Sequence, residues 1–139
     1  MRRQTADGTA TVEFAIILPL FVVLLFGMIE FGLAIWRQEI LTNASREGAR
    51  AGIVSGDPRP TPADIEDVVR NYLENAGIDP DPPTTIISIT GIPEGGEGST
   101  GNPLTVQLQY RNDFLVLPNL MTGLGTSLTL RAQTVMLFE

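Results

Sequence analysis

Residues 14–36 read FAIILPLFVVLLFGMIEFGLAIW, and the reading of this stretch decides the architecture. Phe14–Ile29 carries no charge; Glu30 interrupts, and Phe31–Trp36 continues the apolar run up to Arg37. As a helix, Phe14–Trp36 is roughly 34 Å long at 1.5 Å per residue, enough to cross a hydrocarbon core of about 30 Å. Val22-Val23-Leu24-Leu25-Phe26 is apolar on every helical side, unlike the one-sided stripe of a helix at the edge of a soluble core. A cleaved secretory signal has a shorter apolar region, of roughly 7–15 residues, ending in a small-x-small site. The far end here, GLAIWRQE, offers no such site. The chain therefore reads as a single-pass membrane protein. Trp36 followed by Arg37 fits an interfacial aromatic with a snorkelling cation. Charge alone leaves the orientation open, because Arg2 and Arg3 precede the span while Arg37, Arg46 and Arg50 follow it.

The remaining composition narrows the function classes. The chain of 139 residues has no Cys and no His, and its nine basic residues are all Arg. Ser-His-Asp and Ser-Lys nucleophilic arrangements thus lack their parts, and no thiolate metal site exists. A net charge of −7 argues against nucleic acid as a partner, since phosphate binding needs a basic patch. Glu94 and Glu97 are too few and too widely spaced for a calcium loop. No enzyme activity, cofactor or metal is expected.

Beyond the span, Arg37–Val54 contains no Pro and predicts that the helix continues outside the membrane. Ala44, Gly48 and Gly52 stack at i, i+4 and i+8, a narrow strip where another backbone can approach. With Arg46, Glu47 and Arg50 flanking the strip, packing against the domain's own sheet is favoured over a membrane-type GxxxG dimer. Ser55–Pro60 breaks the chain. A second helix starts at Thr61 as cap, with Pro62 at its first position and Asp64 three after the cap, and stops at Gly77. Ile65, Val68, Val69, Tyr72, Leu73 and Ala76 form its apolar stripe. Strands follow at Thr85–Thr90, Thr105–Tyr110 and Leu128–Phe138, the last with Leu128, Leu130, Ala132, Thr134, Met136 and Phe138 on one face. Gly95–Asn102 reads as the hairpin loop between the first two. The connection Phe114–Gly125 is apolar for a loop and reads as core-covering, with subunit or membrane-surface contact as alternatives.

Two acids mark the span. Glu13 stands at its front edge and Glu30 lies inside it, and a carboxylate in hydrocarbon costs a few kcal/mol unless partnered or near water. Glu30 reads either as headgroup-level or as a helix–helix contact. Gly8 precedes Glu13 by five positions, behind the basic leader MRRQTADG. A basic leader ending in Gly, then four residues, Glu and a long apolar helix resembles a type IV prepilin. More narrowly, GTATVEFAIILP, the later IEFG and NASREGARAG, with Pro19 and Glu30, resemble the TadE-like proteins of the tight-adherence (Flp) pilus system over Gly8–Val54.

That resemblance implies cleavage by a prepilin peptidase between Gly8 and Thr9, with the N-terminus cytoplasmic and the C-terminal domain extracytoplasmic. It implies that Glu13 neutralises the mature N-terminal amine of a neighbouring subunit, with Glu30 a second assembly residue. The expected division is leader 1–8, transmembrane helix 9–36 and external domain 37–139. The expected fold is α+β and pilin-like: a long transmembrane helix continuing into a soluble domain, a second amphipathic helix and an antiparallel sheet of about three strands. The implied role is a minor pilin or pseudopilin in Tad/Flp pilus assembly and cell adhesion. Its expected partners are the prepilin peptidase, other pilin-like subunits, the inner-membrane assembly platform and membrane lipid. A permanently anchored extracytoplasmic binding module is the alternative.

Overall fold

The computed structural model describes residues 4–54, 58–92, 99–114 and 126–138, without the side chains of residues 4–7. The chain has an α+β fold: a long apolar N-terminal helix, a second helix and a three-stranded antiparallel sheet. Helix α1 spans Gln4–Ile53 and α2 spans Pro62–Asn75. Strands β1 (Thr85–Thr90), β2 (Pro103–Asp113) and β3 (Ser127–Leu137) lie in the order β1-β2-β3. The expected hairpin residues Gly95–Gly98, the acids Glu94 and Glu97, Ser55–Asp57 of the break and residues 115–125 of the apolar connection lie outside the described residues.

The chain forms two compact units, residues 1–33 with 114–126 and residues 34–113 with 127–139. In the first, α1 carries Pro19 in its interior, which leaves the Ala15 carbonyl without its usual helical donor. Membrane helices accommodate such a proline more readily than soluble ones. The Phe31 and Phe114 rings meet at a tilt, 5.9 Å between centroids. Phe114 N–H also donates to the Thr126 carbonyl at 3.1 Å.

The second unit holds the core. Leu41, Ala44 and Ala49 of α1, Ile65, Val69 and Leu73 of α2, and Leu104, Val106 and Leu108 of β2 are all fully buried. Leu130 and Ala132 of β3 and the adjoining Phe138 complete it. The register sets Leu108 opposite Ile87 on one side and Ala132 on the other, so alternate residues of three strands share the inner face. Leu128 falls in this alternation but stays 40% exposed at the start of its strand.

Local sequence explains α2. The Thr61 hydroxyl accepts from Asp64 N–H at 3.3 Å, and the Asp64 carboxylate accepts from Thr61 N–H at 2.8 Å, a reciprocal capping box. The Thr61 hydroxyl and backbone bonds hold the Asp64 carboxyl below its ordinary value. At the other end Ile78 N–H bonds to the Leu73 carbonyl and Gly77 N–H to that of Glu74, both at 2.9 Å. This Schellman closure places Gly77 at φ +72°, where a side chain is disfavoured, and brings buried Ile78 against buried Leu73. Arg70 bridges Asp81 at 2.6 Å and Glu66 at 2.9 Å, which raises its pKa further and ties α2 to the turn before β1.

Candidate functional site

The residues singled out in the sequence fall into two groups along α1. Gly8, Thr9 and Glu13 lie within the helix and are exposed. A side chain added at Gly8 would meet nothing within 4 Å. Among the described residues Glu13 makes no ion pair. Glu30 is in a different environment: only 8% exposed, and engaged rather than free. Seventeen residues separate the two acids, roughly 25 Å along a helix, so they form no common site.

Much of the apolar side-chain surface of this part of α1 is exposed. Phe14, Ile16, Leu20, Met28 and Ile35 are each more than 60% exposed, although their chemistry belongs in a core. The most apolar part of α1 has a mean hydropathy of 2.7 with none of it buried, and the helix is long enough to cross a membrane. Apolar surface of this extent on a helix is stable only where something other than water covers it.

The second group packs inside the second unit. Ala44 is fully buried, and Gly48 and Gly52 are buried one and two turns on. A Cβ at Gly48 would overlap Val69 Cγ2 and stand 3.5 Å from Val106 Cγ1. At Gly52 it would stand 2.5 Å from both Ile65 Cδ1 and Leu104 Cδ2. The strip therefore meets α2 as closely as it meets the sheet; the sequence favoured the sheet over a dimer contact and did not point to α2, because nothing local says that α2 folds back onto α1.

Polar contacts on either side of the strip were not legible. The Arg37 guanidinium donates to Asn112 Oδ1 and lies 6.0 Å from the Tyr110 ring centroid. Thus the cation read as snorkelling toward headgroups is directed onto β2. Gln38 Nε2 donates to the Arg131 carbonyl at 2.7 Å, and the Ser45 and Thr134 hydroxyls share a hydrogen bond at 2.8 Å. Asn112 is 1% exposed, so its pairing with Arg37 satisfies a buried amide.

An apolar helix of membrane-crossing length running into a compact α+β unit defines the class: a protein consistent with a single-pass membrane anchor. Residues 8–50 match the family described as TadE-like protein, the same family that the sequence resembles, and the match begins at Gly8. No curated protein and no solved structure matches the chain.

Proposed function

We propose that this chain is a TadE-like minor pilin or pseudopilin acting, without enzymatic activity, in assembly of a Tad/Flp type IV pilus. One observation carries the reading: the family match starts at Gly8 and runs through the apolar helix to Arg50. In this reading α1 crosses the bacterial cytoplasmic membrane with its N-terminus inside and the domain from residue 37 outside. A prepilin peptidase removes residues 1–8. The helix at Gly8 has to open for cleavage, and Gly holds helix more weakly than Ala by roughly 1 kcal/mol.

Exposed Glu13 fits the same account. A carboxylate near the bilayer core costs about 3 kcal/mol on insertion scales, and an opposite charge close by offsets much of that. The amine created at Thr9 of a neighbouring subunit supplies such a charge. Other pilin-like subunits, the inner-membrane assembly platform and lipid are the remaining partners.

Mass spectrometry of the membrane-extracted protein tests the reading. A mature chain beginning at Thr9 is expected. A chain that keeps Met1 in cells with active prepilin peptidase would instead mark a permanently anchored binding module.

A further inference from the structure

One arc of α1 within the apolar run is covered, and the rest of that stretch is not. Val22, Val23, Phe26 and Gly27 are half-buried and Glu30 is buried, whereas Phe21, Leu24, Leu25, Met28, Ile29 and Phe31 are exposed. At 3.6 residues per turn the covered positions fall within about 140° of one another, with Glu30 near the centre. A helix shades its own side chains only in part, as the exposed remainder shows. Something besides α1 therefore lies on this arc.

The unit that contains the arc consists of residues 1–33 and 114–126. Phe114 and Thr126 fix where the segment between them begins and ends. Phe114 N–H donates to the Thr126 carbonyl at 3.1 Å, and the Phe114 ring meets that of Phe31 at 5.9 Å between centroids. Both ends of residues 115–125 thus stand together at the level of Phe31, the residue after Glu30.

Length sets how far that segment reaches. Eleven residues that leave and return to one point extend by five or six residues, at most about 20 Å. Val22 is nine residues from Phe31, about 14 Å along the helix and within reach. Ile16, on the same side of α1, is fifteen residues away, about 22 Å and out of reach, and it is exposed. Cover ends where the segment runs out. The composition suits the place: LVLPNLMTGLG has no charged residue, and Pro118-Asn119 near its middle suits a reversal. Glu30 is buried within one chain, so no second copy is needed to cover it. Lipid alone would leave a carboxylate against hydrocarbon.

We propose that residues 115–125 dock as a hairpin on the arc of α1 from Val22 to Glu30 and lie at bilayer depth, so that Glu30 faces protein and not lipid. The chain then enters the bilayer twice, by its span and by the connection between β2 and β3. The proposal rests on the membrane-anchor part of the proposed function; processing at Gly8 and pilus assembly do not enter it.

Absence of native cysteine makes the docking directly measurable. Full-length chains carrying Val23→Cys with Leu120→Cys are oxidised in membranes and separated without reductant. An internal disulfide is expected in several-fold greater yield than from Met28→Cys with Leu120→Cys, which starts from the opposite side of the helix. In open membrane fragments the Leu120→Cys chain should resist a membrane-impermeant maleimide, and react after denaturing detergent is added. Equal yields from the two pairs would overturn the docking, as would cross-links between differently tagged single-cysteine copies in place of the internal bond. Ready labelling of Leu120→Cys without detergent would overturn the bilayer depth. Alkaline extraction of the same membranes separates the two readings: a chain that stays in the membrane but fails these tests sinks the proposal alone, and a chain released by alkali sinks the anchor with it.

Discussion

Gly48→Ala is the sharpest probe of how the second unit is assembled. The added methyl would overlap Val69 Cγ2 and reach the van der Waals limit of Val106 Cγ1 and Ile65 Cγ2. Val69 is fully buried and β-branched on a helix, so it has one favoured rotamer and cannot swing away cheaply. Overpacking of this kind costs about 1–3 kcal/mol, against a helix-propensity gain of about 0.9 kcal/mol. The net expectation is a loss of about 1 kcal/mol. Val69→Ala alone also destabilises, by removing buried methyls. Combined, the two changes move a methyl across the contact, and the loss in the double variant should be smaller than the sum by about 1 kcal/mol or more. Urea unfolding of the full chain in mild detergent measures all three, read by the near-UV circular dichroism of Tyr72 and Tyr110, which pack on the core. If Gly48→Ala stabilised by the full propensity gain, with no coupling to Val69, close helix approach would not be the reason for glycine here.

Three further outcomes follow from the cap and from the span. Thr61→Ala should destabilise α2 by about 1 kcal/mol, seen as faster amide exchange in its first turn. Asp64 has a lowered folded pKa, so its contribution is fully present above the unfolded value near 3.8 and is lost as pH falls through the folded value below it. Asp64→Asn should therefore remove that part of the acid sensitivity, in an acid titration of stability against the parent chain. Glu13→Ala should leave membrane insertion intact, by alkaline extraction, while reducing recovery of the chain in sheared pilus fractions; unchanged recovery would refute charge pairing at that position.

Much of this fold was legible because its signals are local. Thr61, Pro62, Asp64 and Gly77 specify a helix start and stop within a few bonds of themselves, and β1 was readable from TIISIT to the residue. β2 is longer at both ends than its alternating TVQLQY. Pro103 suggests no strand, and Asn112 breaks the apolar pattern although it points inward, because it is the buried partner of Arg37, 75 residues away. No periodicity encodes such a pairing. The inward Thr134, bonded to Ser45, is similar: it looks like a weak core position and is a polar contact. Likewise, Ala44, Gly48 and Gly52 announce a close approach but not its partner, since the α1–α2 packing depends on a chain reversal whose geometry lies outside the strip.

The way Gly48 and Gly52 receive the side chains of α2 has a mechanical consequence. Val69 and Ile65 sit in two notches four residues apart, about 6 Å along the helix, like pawls in a ratchet. For α1 to slide past α2 both side chains must climb out at once, and the Arg37–Asn112, Gln38–Arg131 and Ser45–Thr134 bonds must break with them. A pull along α1 is therefore met in shear inside the second unit, with several contacts loaded together, instead of drawing the helix out like a thread. Within the second unit, the two helices are keyed together at these notches.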